Sequence, residues 1–182
     1  MKIRTATGAD AGAVAAIYGH HVLNGLGTFE EIPPSETEIA SRIAAVLEKR
    51  LPYFVAEDDG GAIIGFAYAA PFRERAAYRY TAEDSVYIRP DHMGRGVGKA
   101  LVAEVVRACE ALGLRQLVAV IGDSANAGSI GLHRSLGFEP AGVGRAFGYK
   151  HGRWVDIVWM RLPLNGGETS SPEGAGMPLG GH

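Results

Sequence analysis

The chain is short of the features that would commit it to several common roles. It has one cysteine, Cys109, in 182 residues, so no internal disulfide framework exists. It has no dense Lys/Arg run and a formal net charge of −2, which makes nucleic acid a poor partner. No stretch of 18 apolar residues is present to span a membrane. The start, MKIRTATGAD, lacks the apolar region of a secretory signal. His20, His21, His92 and His151 show no metal-ligand spacing. These absences point to a reducing cytoplasm and to chemistry without a metal, a membrane or nucleic acid.

What is present describes an ordinary globule. Hydrophobic residues make up 47% and charged residues 21%. A chain of this length reads as one domain that buries about 70% of its unfolded surface.

The pattern predicts alternating elements. A first strand covers Lys2–Thr7. Thr7 and Asp10 then form a candidate capping box for a helix that buries Val14, Ile17 and Tyr18. After the loop GLGTFEEIPP, Ser35 and Glu38 make a second candidate box before Ile39, Ile43, Val46 and Leu47. Residues 53–57 and 62–72 read as a strand pair, and 84–89 as a further strand. A helix carrying Leu101, Val105, Cys109 and Leu112 stops at Gly113. Strand 116–121, a helix over 125–136, and a hairpin of 141–149 with 154–162 complete the order β-α-α-β-β-β-α-β-α-β-β. This is mixed α/β without strict βαβ alternation. Residues 1–162 form the domain. The tail, 163–182, holds six glycines and three prolines and reads as disordered.

The stretch RPDHMGRGVGKAL, residues 89–101, carries glycines at 94, 96 and 98 between a strand and a helix. A P-loop is excluded in detail. Met93 stands where the first glycine belongs, and Ala100 replaces the metal-binding hydroxyl. A dinucleotide fingerprint fails at Lys99, which holds the third glycine position. What remains is a metal-free cradle. Glycines let successive N–H groups converge on an anion at a helix start, and Arg95 and Lys99 add positive charge. A tight connection with no ligand is the plainer alternative.

VYIRPDHMGRGVGKALVAEVVRACEALGL resembles the acyl-CoA pyrophosphate motif of the GNAT acetyltransferase superfamily, [Q/R]-x-x-G-x-[G/A]. Gly96 and Gly98 match its small positions, and Met93 departs from its Gln/Arg. NAGSIGLHRSLGF resembles the family's later segment. RYTAEDSVYI and GYKHGRWVDIVWM narrow the resemblance to the phosphinothricin and amino-acid-analogue acetyltransferase branch. The match runs over residues 2–162.

The resemblance implies a mixed, mostly antiparallel twisted sheet flanked by about four helices. It implies acetyl-CoA as co-substrate, with no metal. The expected acceptor is the α-amino group of a small amino acid or analogue: phosphinothricin, methionine sulfoximine or methionine sulfone. Another amine, a protein N-terminus or a polyamine, is the same-class alternative, and a non-catalytic acyl-CoA-binding module is the other. A homodimer is expected from the same branch. Glu83 is the expected base on the substrate ammonium, with Asp84 ranked second. His133 is either the acid for the leaving thiolate or a packed helix histidine. The backbone of Val86, Tyr87 and Ile88 is expected to hold the pantetheine arm. Gly94, Arg95, Gly96, Val97, Gly98 and Lys99 hold the pyrophosphate. Asn126 and Ser129 contact the cofactor, cap the helix, or both. Arg75, Tyr78, Phe29 and Glu30 are the candidate acceptor contacts. Cys109 reads as core.

Overall fold

The computed structural model describes residues 1–178. Its elements follow the expected order: β1 (Lys2–Thr5), α1 (Ala11–Asn24), α2 (Glu36–Glu48), β2 (Tyr53–Glu57), β3 (Ile63–Pro71), β4 (Thr81–Ile88), α3 (Val97–Ala111), β5 (Gln116–Gly122), α4 (Ala127–Ser135), β6 (Glu139–Lys150) and β7 (Arg153–Pro163).

Local chemistry sets the boundaries. β1 ends before Thr7 because Thr7 begins a turn. Its N–H and hydroxyl both donate to the Asp10 carboxylate, at 2.8 and 3.1 Å. Asp10 also takes Arg4 of β1 at 2.7 Å, and that hydrogen-bonded partner holds its carboxyl at about 2. At α2 only half of the expected box forms. Ser35 Oγ accepts from Glu38 N–H at 3.1 Å, while the Glu38 side chain turns to Arg42 one helical turn on.

The seven strands form one sheet in the order β1-β2-β3-β4-β5-β7-β6. All neighbours are antiparallel except β4 and β5, which run parallel because α3 crosses between them. α3 packs Val97, Leu101, Val102, Val105 and Cys109 on one face of the sheet. α1 and α2 pack Val14, Ile17, Tyr18, Ile39 and Ile43 on the other, against Tyr53, Val55 and Phe66. Cys109 is wholly buried, as expected of a core residue.

The tail differs from expectation. Residues 164–178 lie against the body, with Leu164 and Met177 buried. Arg115, also buried, donates to the Gly167 carbonyl at 2.9 and 3.0 Å and to the Ser170 carbonyl at 2.8 Å. Further along, Tyr80 donates to the Gly174 carbonyl and Met177 N–H to the Arg79 carbonyl. Composition counts too little apolar surface in this segment. It does not count a guanidinium in the body that satisfies the tail's carbonyls. Residues 179–182 of the expected disordered tail lie outside the described residues.

Candidate active site

The site begins where the sheet opens. β4 and β5 pair only from Thr81–Gln116 to Asp84–Ala119. Beyond that, β4 stays with β3 as far as Ile88, and β5 stays with β7 as far as Gly122. The two strands therefore part like a V. Between them lies a cavity of about 520 Å³, walled by β4, β5, the starts of α3 and α4, and residues 25–27 after α1.

Parting leaves strand edges without partners, and buried backbone polar groups need them. Arg89 N–H donates to Ile64 on β3, so Tyr87, two residues back, also turns its backbone to β3. Val86 and Ile88 turn theirs to the cleft. The Ile88 carbonyl confirms this, since it accepts from His21 Nε2 at 2.8 Å. Of the three residues whose backbone was expected to hold the pantetheine arm, Tyr87 alone turns its backbone away from the cleft. The side chain of Tyr87 packs edge-on against Tyr18, with centroids 4.9 Å apart.

The glycine loop forms the outer end of the cleft. Gly94 and Gly96 have φ of +73° and +81°, a region that side-chain-bearing residues avoid, and Gly96 is the N-cap of α3. The first amide bonded back into the helix is that of Ala100, to the Gly96 carbonyl at 3.1 Å. The N–H groups of Val97, Gly98 and Lys99 therefore have no helical acceptor and face the helix entrance, where the dipole favours an anion. Gly98 has a second duty, because a Cβ there would meet a Leu132 methyl at 2.7 Å. Lys99 and Met93 line the cavity. Arg95 is exposed and is not on its wall.

The inner wall holds a pair that the sequence did not reveal. His133 Nε2 is 3.0 Å from Asp84 Oδ2, and both side chains are almost wholly buried. His133 Nδ1 lies 2.8 Å from the Ser129 carbonyl. Burial acts to lower the imidazole pKa, but the Asp84 carboxylate and the Ser129 carbonyl outweigh it, and the result is raised. With both ring nitrogens engaged, His133 presents no free N–H to a thiolate. Of the two expected readings, this geometry matches the packed helix histidine, held in the cleft wall by Asp84 and the Ser129 carbonyl. Asp84 Oδ1 is buried without a partner among the described residues. Asn126 and Ser129 line the cavity, and Asn126 Oδ1 caps α4 by accepting from Ser129 N–H at 3.1 Å. Both expected roles are geometrically compatible.

Glu83 lies beside this pair in sequence but on the other face of the sheet, toward α1 and α2, because strand side chains alternate. It pairs in register with Val118, one residue before the ladder ends. Burial raises its pKa above 4.5, Arg73 opposes this, and Asp84 adds to it. A half-buried carboxylate at the apex of the V can accept a proton near neutral pH more readily than a solvated one.

The remaining candidates are more scattered. Arg75 and Tyr78 sit in the β3–β4 connection and line a second, shallow hollow with Phe72 and Arg73. Neither lines the cleft. Glu30 is committed internally: its carboxylate accepts from Tyr18 at 2.9 Å and from Arg42 at 2.7 Å. Phe29 is partly exposed and lies against Gly148 of β6. His21, Arg73 and Asp84 were missed or ranked low. His21 and Asp84 meet partners distant in sequence, Ile88 and His133, and Arg73 acts on Glu83 by charge alone, so no local motif marks them.

A sheet that opens between parallel β4 and β5, with a glycine-capped helix at its mouth, defines a class. Residues 20–138 match the model of the acetyltransferase (GNAT) family, and the chain belongs to that family. It is 50% identical over 171 residues to a phosphinothricin N-acetyltransferase of Alcaligenes faecalis, covering 94% of this chain and 86% of that one. It is 39% identical to an L-methionine sulfoximine/L-methionine sulfone acetyltransferase of Pseudomonas paraeruginosa, covering 90% of this chain and 95% of that one. Among solved structures, it resembles a GNAT superfamily phosphinothricin acetyltransferase from Sinorhizobium meliloti in complex with acetyl-CoA. The TM-score is 0.92 and the identity 49%, over 96% of this chain and 94% of that one.

Proposed function

We propose that this protein transfers an acetyl group from acetyl-CoA to the α-amino group of a small amino acid or analogue, with phosphinothricin, methionine sulfoximine and methionine sulfone as candidate acceptors. The observation that carries the reading is the V between β4 and β5, which joins an open amide edge to an anion-binding helix start. These residues fit acetyl-CoA, which supplies an activated acyl thioester. Val86 and Ile88 would hydrogen-bond the pantetheine arm through their backbone. Buried Asp84 Oδ1 offers an acceptor to a donor in that arm. The α3 amides and Lys99 would hold the pyrophosphate.

Glu83 would take the proton from the acceptor ammonium. Its position at the apex, on the α1/α2 face, leaves the other face to the cofactor wall. Arg73 and Arg75, in the connection leading into β4, are forks suited to an acceptor carboxylate or phosphinate. A cytoplasmic homodimer belongs to the same proposal. Phe147, Tyr149 and Trp154, exposed on the β6–β7 hairpin, support an apolar contact with a second copy.

The test is thiol release from acetyl-CoA over a panel of amino acids, their analogues, polyamines and peptides. Release confined to small amino acids or analogues supports the proposal. No release with any amine refutes the enzyme reading, and release with peptides or polyamines alone refutes the acceptor class.

A further inference from the structure

Ionic side chains rarely enter a protein interior without an opposite charge. In this protein Asp10 meets Arg4, Asp84 meets His133, and Arg115 secures the tail. Lys150, the last residue of β6, is only 2% exposed and forms no ion pair among the described residues. Its Nζ donates to the main-chain carbonyl of Thr28 at 2.8 Å. Burial pulls its pKa below the usual lysine range, and Glu31 and Glu30 act against that.

Thr28 is the hub of the loop between α1 and α2. It is buried, and its hydroxyl shares a hydrogen bond with Tyr18 at 2.8 Å. Tyr18 donates to Glu30, which is held in turn by Arg42. Two residues before Lys150, Gly148 leaves room for the ring of Phe29. A Cβ at Gly148 would overlap that ring. The end of β6 thus holds Thr28 by a polar anchor and Phe29 by a steric notch. On the other side, the Leu26 carbonyl lies against Gly122 of β5, and Gly25, Leu26 and Gly27 line the cleft. The loop runs from the cleft wall to the anchored residues 28–30, and its course is fixed from both sides.

We infer that Lys150 is a positioning residue for the acceptor: by fixing Thr28 and Phe29 it sets the shape of the acceptor side of the cleft. The inference rests on the N-acetyltransferase reading above. Its geometry suits a lysine, whose long apolar stem crosses from the sheet edge while its ammonium reaches one carbonyl. The α3 and α4 ends of the cofactor wall form no hydrogen bond with Lys150 or Thr28 among the described residues.

Lys150→Met keeps the stem and removes the donor. Lys150→Arg keeps a donor. Gly148→Ala disturbs the same loop without touching the lysine. Amide exchange at residues 26–30, acetyl-CoA Kd by calorimetry, and acceptor KM are measured on all three and the wild type. In Lys150→Met, exchange at 26–30 should rise and acceptor KM should increase about tenfold or more, the scale of a lost hydrogen bond to a charged group. Acetyl-CoA Kd should stay within about twofold, which a hydrogen-bond loss of that scale would exceed at its own site. Lys150→Arg should recover most of the change, and Gly148→Ala should reproduce the split between KM and Kd if Lys150→Met fails to fold. Unchanged exchange and acceptor KM in the Lys150→Met protein, with normal wild-type turnover, overturn the inference alone. A parallel rise in KM and Kd does so too, since it marks general loosening. Absence of turnover in the wild type instead refutes the enzyme reading and the acceptor role with it.

Discussion

Replacing Asp84 by asparagine and by alanine separates charge from hydrogen bonding in the buried pair. The Ser129 carbonyl can only accept, so His133 Nδ1, 2.8 Å away, carries a proton. The 3.0 Å contact of Nε2 with Asp84 Oδ2 then needs a second proton between them. A histidine whose pKa is raised on folding above its usual 6.5 contributes stability that is fully present below 6.5. That contribution is lost as the pH climbs through the raised value, with a slope of at most about 1.4 kcal/mol per pH unit for one proton. Asp84→Asn supplies an amide that can donate to a neutral Nε2. It keeps a hydrogen bond but cannot hold an imidazolium, so this slope should vanish and the wild-type advantage should shrink as pH rises. Asp84→Ala leaves a buried nitrogen unpaired and should cost about 3–5 kcal/mol near pH 6. With a urea m-value of about 1–3 kcal/mol/M, the midpoint falls by at least about 1 M. Urea unfolding from about pH 6 to 9, followed by tryptophan fluorescence, reads both effects. Equal pH slopes for the wild type and Asp84→Asn would show that the pair holds no imidazolium. An Asp84→Ala loss below about 1 kcal/mol would refute the buried-pair energetics.

Glu83→Gln should lower kcat by about a hundredfold or more and leave acetyl-CoA Kd within about twofold. In the wild type, activity should fall as pH drops through the raised Glu83 pKa, above 4.5, and steady-state kinetics against pH checks this. Gly96→Val places a β-branched residue at φ +81° and should abolish acetyl-CoA binding in calorimetry while the protein stays folded. Arg115→Met removes the donors that secure Gly167 and Ser170. It should cost about 1.5–3 kcal/mol and open residues 166–176 to limited proteolysis that the wild type resists.

The elements were legible because their signals are local. Helical spacing marked α1 to α3, and the runs 141–149 and 154–162 marked the β6–β7 hairpin. The capping residues Thr7 and Ser35 marked helix starts, although Glu38 gave its side chain to Arg42 instead of completing the second box. The glycine loop was legible for the same reason. A turn that needs positive φ before a helix must be written in consecutive residues, so Gly94 and Gly96 carry their meaning wherever the helix packs.

Pairing across the fold decided the rest. Strand alternation puts Glu83 and Asp84 on opposite faces of β4. Only the sheet, with α4 packed on one face, set His133 against Asp84 and made the packed histidine the reading the geometry matches. Likewise, the backbone of Tyr87 was lost to β3 once the strand register was fixed, and Glu30 was committed to Tyr18 and Arg42. The tail's composition argued for disorder until Arg115 supplied donors from the body. The sequence by itself determined the order of elements, the family resemblance and the anion loop, because torsional preference and periodicity act over a few residues. The tertiary structure decided which charges are buried together and which loops they hold, because those energies arise between residues far apart along the chain.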